Sequence, residues 1–338
     1  MANKRLKIVF LSFYSGKVAR GAETFVHELA NRLALNNDVV VCQAGSALRN
    51  AKYQTKTFKS DSLYLFTKKT LNSIGNTDIL FPVNGRIQGI LCKLWAIKHG
   101  AKLVFSGQSG PGADDRLNLW TFPDLFLALT DFQYKWAKKV NPLVKIAKIP
   151  NGTDINRFGK DVDPIKIDLP KPIILCVAAY SKSKRLELAI KAVSKLKKGS
   201  LFLVGKGEEE NNLRSLGDKL LPGRFKMEYH PYADIAKVYP AGDLFTFPTV
   251  EWESFGIVMV EAMASGLPVV ATNDPMRKEI VGDAGVLVDP TDSAEYAKAI
   301  KKALDKNWGS IPRHQAEKFN WDKIAESYEK LFFDLKDK

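Results

Sequence analysis

The chain has 338 residues, 45% apolar and 26% charged, with a formal net charge of +14. That length suits two domains of about 100–200 residues each, and the composition is that of a globular protein rather than a disordered or fibrous one. No apolar run approaches the ~18 residues of a membrane span.

Short β-rich apolar runs alternate with helical patterns from end to end, as βαβ units with parallel sheets require. The first run, Ile8–Phe13, follows Lys4-Arg5 but is too short for a signal-peptide core, so a buried strand is expected. A helix beginning near Ala22 carries Phe25, Val26, Leu29 and Leu33 on one face. Strands are predicted over Val39–Ala44 and Ile79–Pro82, a helix over Ile87–His99, then strands over Leu103–Ser106, Leu125–Ala128 and Val144–Ile149. Asn151-Gly152 is a turn former. The stretch Gly159–Pro172, rich in Asp, Lys and Pro and without periodicity, has the composition of a linker.

The rhythm then restarts. A strand at Ile173–Val177 leads to a helix over Leu186–Leu196, and strands follow at Leu201–Val204, Phe225–Tyr229, Leu244–Pro248 and Val269–Ala271. Finally Trp321, Ile324, Tyr328 and Phe332 form a helical stripe suited to docking. The expected organisation is a first domain over residues 1–155, a second over 156–318 and a closing helix over 319–338. The expected fold class is α/β: two Rossmann-like domains whose parallel sheets face a ligand cleft between strand C-termini.

Cys42, Cys92 and Cys176 are odd in number and far apart, and read as reduced core residues of a cytoplasmic protein. The charge is uneven: residues 1–155 hold 22 Lys/Arg against 10 Asp/Glu, and the remainder 29 against 27. An excess of +12 in the first half implies either a field directed at an anionic partner or a solvated basic surface. Lys52, Lys56, Lys59, Lys68 and Lys69 cluster around Tyr53, Tyr64 and Phe66, a basic-aromatic pattern that suits an anionic membrane surface. No recognition motif with interleaved aromatics accompanies the charge, so no nucleic-acid partner is expected.

The most informative run is Glu251–Ala271. Glu253 closes a polar loop, Ser254-Phe255-Gly256 leads into a small-residue helix carrying Glu261, and Gly266-Leu267-Pro268 breaks that helix before a Val-Val-Ala strand. A loop feeding a helix N-terminus offers unpaired N–H groups and a dipole that favour an anion. Two flanking carboxylates suit hydrogen bonds to hydroxyls.

This run resembles the donor-binding signature of retaining glycosyltransferases of family 4 (glycosyl transferases group 1), which have the two-domain GT-B fold. The resemblance extends along the chain. Gly21-Ala22-Glu23, preceded by Arg20 where the family usually has glycine, lies at the loop that approaches the donor diphosphate. Asn151-Gly152-Thr153-Asp154 is similar to the family's hinge element, and the family's final helix often crosses back, so the resemblance implies that residues 319–338 pack toward the first domain. Lys184 falls on the family's diphosphate-binding lysine, whereas Ala179 replaces its arginine; Lys182 or Arg185 is left to supply the second charge. Gly205-Lys206-Gly207 and His230-Pro231-Tyr232 lie where the family meets the nucleotide base. Gln108 stands where many relatives carry a histidine, and an amide binds hydroxyls but is no general base at neutral pH. The Gly-rich loop Ser109–Arg116 offers Asp114 and Asp115 as acceptor contacts.

The resemblance implies a retaining glycosyltransferase moving a sugar from a nucleoside-diphosphate-sugar to a glycan, lipid-linked or small acceptor, with no metal or other cofactor. Glu253 and Lys184 would support the transition state, Ser254, Phe255 and Gly256 would reach the sugar or phosphate, and Glu261 would bind the ribose. Asp161-Val162-Asp163 has a metal-binding form but lies in the expected linker and is set aside. The location implied is cytoplasmic, at the inner membrane face if the basic surface binds lipid. The rivals are a GT-B phosphorylase or epimerase, and a nucleotide-sugar-binding protein without transferase activity.

Overall fold

The computed structural model describes residues 5–18, 21–48, 50–159 and 161–337. It divides into two compact units, residues 1–151 with 321–338, and residues 152–320.

In the first unit the order is β1 (Lys7–Ser12), α1 (Gly21–Leu33), β2 (Asp38–Gln43), β3 (Gln54–Thr57), α2 (Leu63–Ser73), β4 (Ile79–Pro82), α3 (Ile87–His99), β5 (Lys102–Ser106), α4 (Ala113–Trp120), β6 (Leu125–Ala128), α5 (Asp131–Val140) and β7 (Ile146–Lys148). The strands form one parallel sheet ordered β3-β2-β1-β4-β5-β6-β7. Central strands such as Lys7–Ser12 are buried on both faces, which is why they read as unbroken aliphatic runs rather than alternating ones.

The second unit runs β8 (Ile173–Val177), α6 (Leu186–Ser194), β9 (Ser200–Val204), α7 (Glu210–Leu220), β10 (Phe225–Glu228), β11 (Leu244–Phe247), α8 (Ile257–Ala264), β12 (Val269–Thr272), α9 (Pro275–Val281), β13 (Gly285–Val288), α10 (Ser293–Asp305) and α11 (Ile311–Glu317). Its parallel sheet is ordered β10-β9-β8-β11-β12-β13. The order reverses between β8 and β11, and the C-terminal ends of strands at such a switch point are the ordinary ligand position of these sheets.

A last helix, α12 (Trp321–Lys336), belongs to the first unit. Trp321, Ile324, Tyr328 and Phe332 join Phe25, Leu29 and Phe81 in one core on the α1 side of the sheet. On the opposite side, residues of α2, α3, α4 and α5 share a second core with Leu11, Leu103 and Phe126.

Several expectations need correcting. The units end at Asn151 and Asn320 rather than at 155 and 318. Gly159–Pro172 is no linker: its described residues belong to the second unit, where Ile165 N–H donates to the Lys237 carbonyl. Its polar composition reflects an exposed course, with Asp161 and Asp163 both exposed. The basic-aromatic stretch folds as β3 and α2, with Tyr53 and Phe66 buried and Tyr64 exposed. From Ala113 onward, the expected Gly-rich loop is helix α4. The three cysteines are free and buried, and burial pushes the Cys42 and Cys176 thiols up to about 12.

Candidate functional site

Two loops meet at the switch point of the second sheet. After β8, residues Lys182–Lys184 make a 3-10 turn that ends at Arg185, a non-glycine residue in left-handed conformation with φ 49. The Arg185 guanidinium donates to the Pro248 carbonyl at 2.9 Å, to the Thr249 carbonyl, and to Thr272 Oγ1 at 3.3 Å. The Val250 N–H and the Thr249 hydroxyl both donate to the Ser183 carbonyl, at 3.0 and 3.1 Å. The β8 loop is thus stitched to the loop after β11.

The stitching brings Lys184 Nζ to 2.6 Å from Glu253 Oε2, with the two side chains 18% and 22% exposed. Thr249 Oγ1 lies 3.4 Å from the same carboxylate oxygen. Sixty-nine residues separate the partners in sequence, so only the parallel topology unites them. A partly buried ammonium beside a carboxylate can turn its charge to an anion while the acid accepts a hydroxyl. Of the two candidates for a second charge, Arg185 directs its donors at the carbonyls above, and Lys182 is exposed.

Sequence reading missed what holds Glu253. Arg277 on α9 is fully buried: its Nε donates to Asp274 at 2.6 Å, and its remaining nitrogens reach the Glu253 carbonyl at 2.6 Å and the Glu251 carbonyl at 2.7 Å. Asp274 also caps α9, accepting the Met276 and Arg277 N–H groups. The signal was present as Asp-Pro-x-Arg, a capping acid, a proline at the first helical turn and a basic residue at i+3. Nothing in that spacing discloses that the guanidinium turns back to an earlier loop.

Beyond Glu253 the chain enters α8. Gly256 has φ +78, and a Cβ there would lie 2.9 Å from the Phe247 ring, so both backbone and space favour glycine. Ser254 and Phe255 are buried, and the Phe255 ring meets Phe319 edge-on at 5.7 Å, which leaves its backbone rather than its side chain for a ligand. Glu261 is 4% exposed, and its Oε2 accepts the Tyr239 hydroxyl. Burial, then the neighbouring Glu261, raises the Tyr239 phenol well above its ordinary range, so it stays a proton donor. Tyr239 was another residue not anticipated. Trp252, next to Glu253, is 64% exposed.

The glycines after β9 allow close packing. A Cβ at Gly205 would sit 1.9 Å from the Ala178 carbonyl oxygen, and one at Gly207 would sit 2.4 Å from that of Tyr180. His230 Nε2 lies 2.9 Å from Glu228 Oε2.

The first unit holds the remaining candidates. Gly21 and Ala22 open α1, while Arg20 lies outside the described residues. Gln108 pairs amide to amide with Asn151, at 2.9 Å in each direction, and also donates to Ser106 Oγ. Asp114 forms an ion pair with Arg86 at 2.8 Å. Asp115, expected on an open loop, is 1% exposed beneath it. It accepts from Gln133 Nε2 at 3.2 Å and Asn118 Nδ2 at 3.4 Å, and Gln133 also donates to the Gly107 carbonyl. Burial raises the Asp115 carboxyl well above its usual range, against hydrogen bonds from Asn118, Gly110 and Gln133 that lower it. Asp115 is thus tied to Asn118 and Gln133 rather than lying on an open loop.

Residues 158–320 match the family described as glycosyl transferases group 1. The match lies within the second unit and spans just under half of the chain. Over the whole chain the likeness to solved structures is one of fold. The chain superimposes on a sucrose-phosphate synthase from Thermosynechococcus elongatus with a TM-score of 0.84 at 19% identity, over 98% of this chain and 99% of that one. It superimposes on Anabaena Alr3699/HepE in complex with UDP with a TM-score of 0.80 at 20% identity, over 97% and 100%. Both domains therefore have the fold of GT-B glycosyltransferases. In sequence, O-antigen chain mannosyltransferase B of Escherichia coli is 34% identical over 125 residues, 36% of this chain and 30% of that protein. The alignments span only 30% to 54% of the first curated relatives' own lengths.

Proposed function

We propose that the chain is a retaining glycosyltransferase of family 4, moving a sugar from a nucleoside-diphosphate-sugar to a glycan, lipid-linked or small acceptor without a metal ion. The observation that carries this is the Lys184–Glu253 pair at the switch point of a domain that matches the glycosyl transferases group 1 family. During transfer the bond between the sugar's anomeric carbon and the diphosphate oxygen breaks, and negative charge grows on the departing phosphate. The Lys184 ammonium and the open N–H groups at the start of α8 stabilise that charge more than they stabilise the bound donor, which is what accelerates the step. The acceptor oxygen bonds to the anomeric carbon on the face the phosphate leaves, and its proton passes to the departing phosphate. Glu253 accepts a hydroxyl of the transferred sugar, and Glu261, steadied by Tyr239, accepts the ribose hydroxyls. The acceptor contacts are assigned to Gln108 and Asp114.

The basic first unit supports a cytoplasmic enzyme working at the inner membrane face on an anionic or lipid-linked acceptor. Among the described residues, no helix is long and apolar enough to cross a membrane.

The test is nucleoside diphosphate release from a panel of nucleotide sugars, UDP-sugars first, with and without acceptors and in excess EDTA. Acceptor-dependent release that survives EDTA, with the anomeric configuration retained in the product, is expected. Inversion, a requirement for manganese or magnesium, or turnover that depends on inorganic phosphate would each overturn the reading.

A further inference from the structure

Helix α3 is apolar on both faces. Inward, Cys92, Trp95 and Ala96 join the core beside the sheet. Outward, Ile87, Ile90, Leu94 and Ile97 are 39%, 51%, 63% and 68% exposed. Their spacing places all four on one stripe of the helix, where a surface helix ordinarily carries polar residues. The apolar surface continues onto its neighbours. At the end of α4, the half-exposed rings of Trp120 and Phe122 meet edge-on at 6.0 Å, and Lys93 of α3 donates to the Phe122 carbonyl at 2.5 Å. On the other flank, Gln88 of α3 meets Thr67 of α2 at 3.5 Å, and α2 exposes Tyr64 and Leu65. A contiguous apolar patch of this kind marks a contact surface.

Charge decides the occupant. Helices α2 to α5 carry eight Lys/Arg and three Asp. Asp115 is buried, Asp114 faces Arg86, and Asp131 faces Lys148. The exposed basic side chains include Lys68 and Lys69 on α2, Lys98 on α3 and Arg116 on α4. A second copy of the chain would set like charges against each other here. A bilayer with anionic headgroups answers both features, because aliphatic side chains enter the acyl boundary while lysine and arginine heads stay among the phosphates.

We propose that the outer surface of α2–α4, centred on the α3 stripe, docks onto an anionic lipid bilayer. This rests on the membrane part of the proposed function and not on the transfer reaction. It also moves the contact away from the Lys52–Lys59 segment, whose Tyr53 points into the core.

Flotation of the full chain with phosphatidylcholine vesicles, with and without phosphatidylglycerol, provides the test. The wild type should float with phosphatidylglycerol vesicles at about 0.01 M salt and less at about 0.15 M. The I90Q/L94Q/I97Q variant should lose about tenfold or more in partitioning, whereas K52E/K59E should partition like the wild type. Leu94→Trp should strengthen binding while keeping a thermal midpoint close to the wild type, which separates the gain from binding by exposed core residues. A wild type indifferent to phosphatidylglycerol would overturn the membrane reading and this surface together. Equal flotation of the wild type and the triple variant would overturn the surface alone. A wild-type dimer that the triple variant dissolves, seen by sedimentation, would make a second copy the occupant and overturn the lipid assignment.

Discussion

At the residue scale, the proposed function gives the carboxylate and the ammonium of one ion pair separate tasks. Under that proposal Lys184 would meet the diphosphate in the bound donor as well as in the transition state, whereas Glu253 would meet the transferred sugar, which the bare nucleoside diphosphate lacks. Lys184→Ala should therefore weaken nucleoside diphosphate binding by about 1.5–3 kcal/mol, the usual worth of a charged hydrogen bond. Glu253→Gln should leave that affinity within about twofold and lower turnover instead. Isothermal calorimetry beside steady-state kinetics separates the two, and an equal loss of affinity in both variants would refute the division. Arg277 acts one step further back. Arg277→Met strands buried Asp274 and should cost about 3–5 kcal/mol of stability. Arg277→Lys keeps the charge but loses the planar fork that reaches Asp274 and two carbonyls at once. It should fold, bind nucleoside diphosphate and turn over slowly; wild-type kinetics in that variant would remove Arg277 from any role in placing Glu253.

At the scale of elements, the buried carboxyl under the β5–α4 connection makes stability depend on pH. Burial raises the proton affinity of Asp115 in the folded chain above its unfolded value, so its contribution is present below the ordinary carboxylate range and fades as pH climbs through the raised value. Asp115→Asn removes the titration. The thermal midpoint of this variant, measured relative to the wild type, should rise between pH 5 and pH 8; a flat difference would show that the carboxyl does not titrate in this way. The same connection shows where the sequence was legible and where it was not. Strands such as Ile79–Pro82 and Leu125–Ala128, and the helix Ile87–His99, stood out because burial on both sides or a helical stripe leaves a plain apolar pattern. Gln54–Thr57 is a four-residue polar strand at the sheet edge, and α4 begins with Ala-Asp-Asp after three glycines; neither offers a periodicity to read. In the site, Glu253, Glu261 and Lys184 announced themselves through local motifs. Arg277 and Tyr239 did not, because their roles are contacts across the fold rather than spacings along the chain.

At the scale of the whole molecule, the chain passes between its units twice, so the last helix completes the core of a unit begun more than three hundred residues earlier. Phe332 is fully buried there, its ring 5.8 Å from Tyr328 and 6.3 Å from Phe81. Phe332→Ala should cost the first unit about 3–5 kcal/mol through lost burial and the cavity left behind. If the Lys184 site holds a nucleoside diphosphate as proposed, the ligand should add about 2.7 kcal/mol at one hundred times its dissociation constant, and add it to the second unit. Each unit has its own sheet and cores, so calorimetric unfolding should resolve two transitions rather than one. Phe332→Ala should lower one of them, and the nucleotide should raise the other, in the variant as in the wild type. If the substitution and the ligand instead move a single shared transition, the units are energetically one body. The nucleotide would then partly rescue the variant, and a site built in the second unit would be felt through the first.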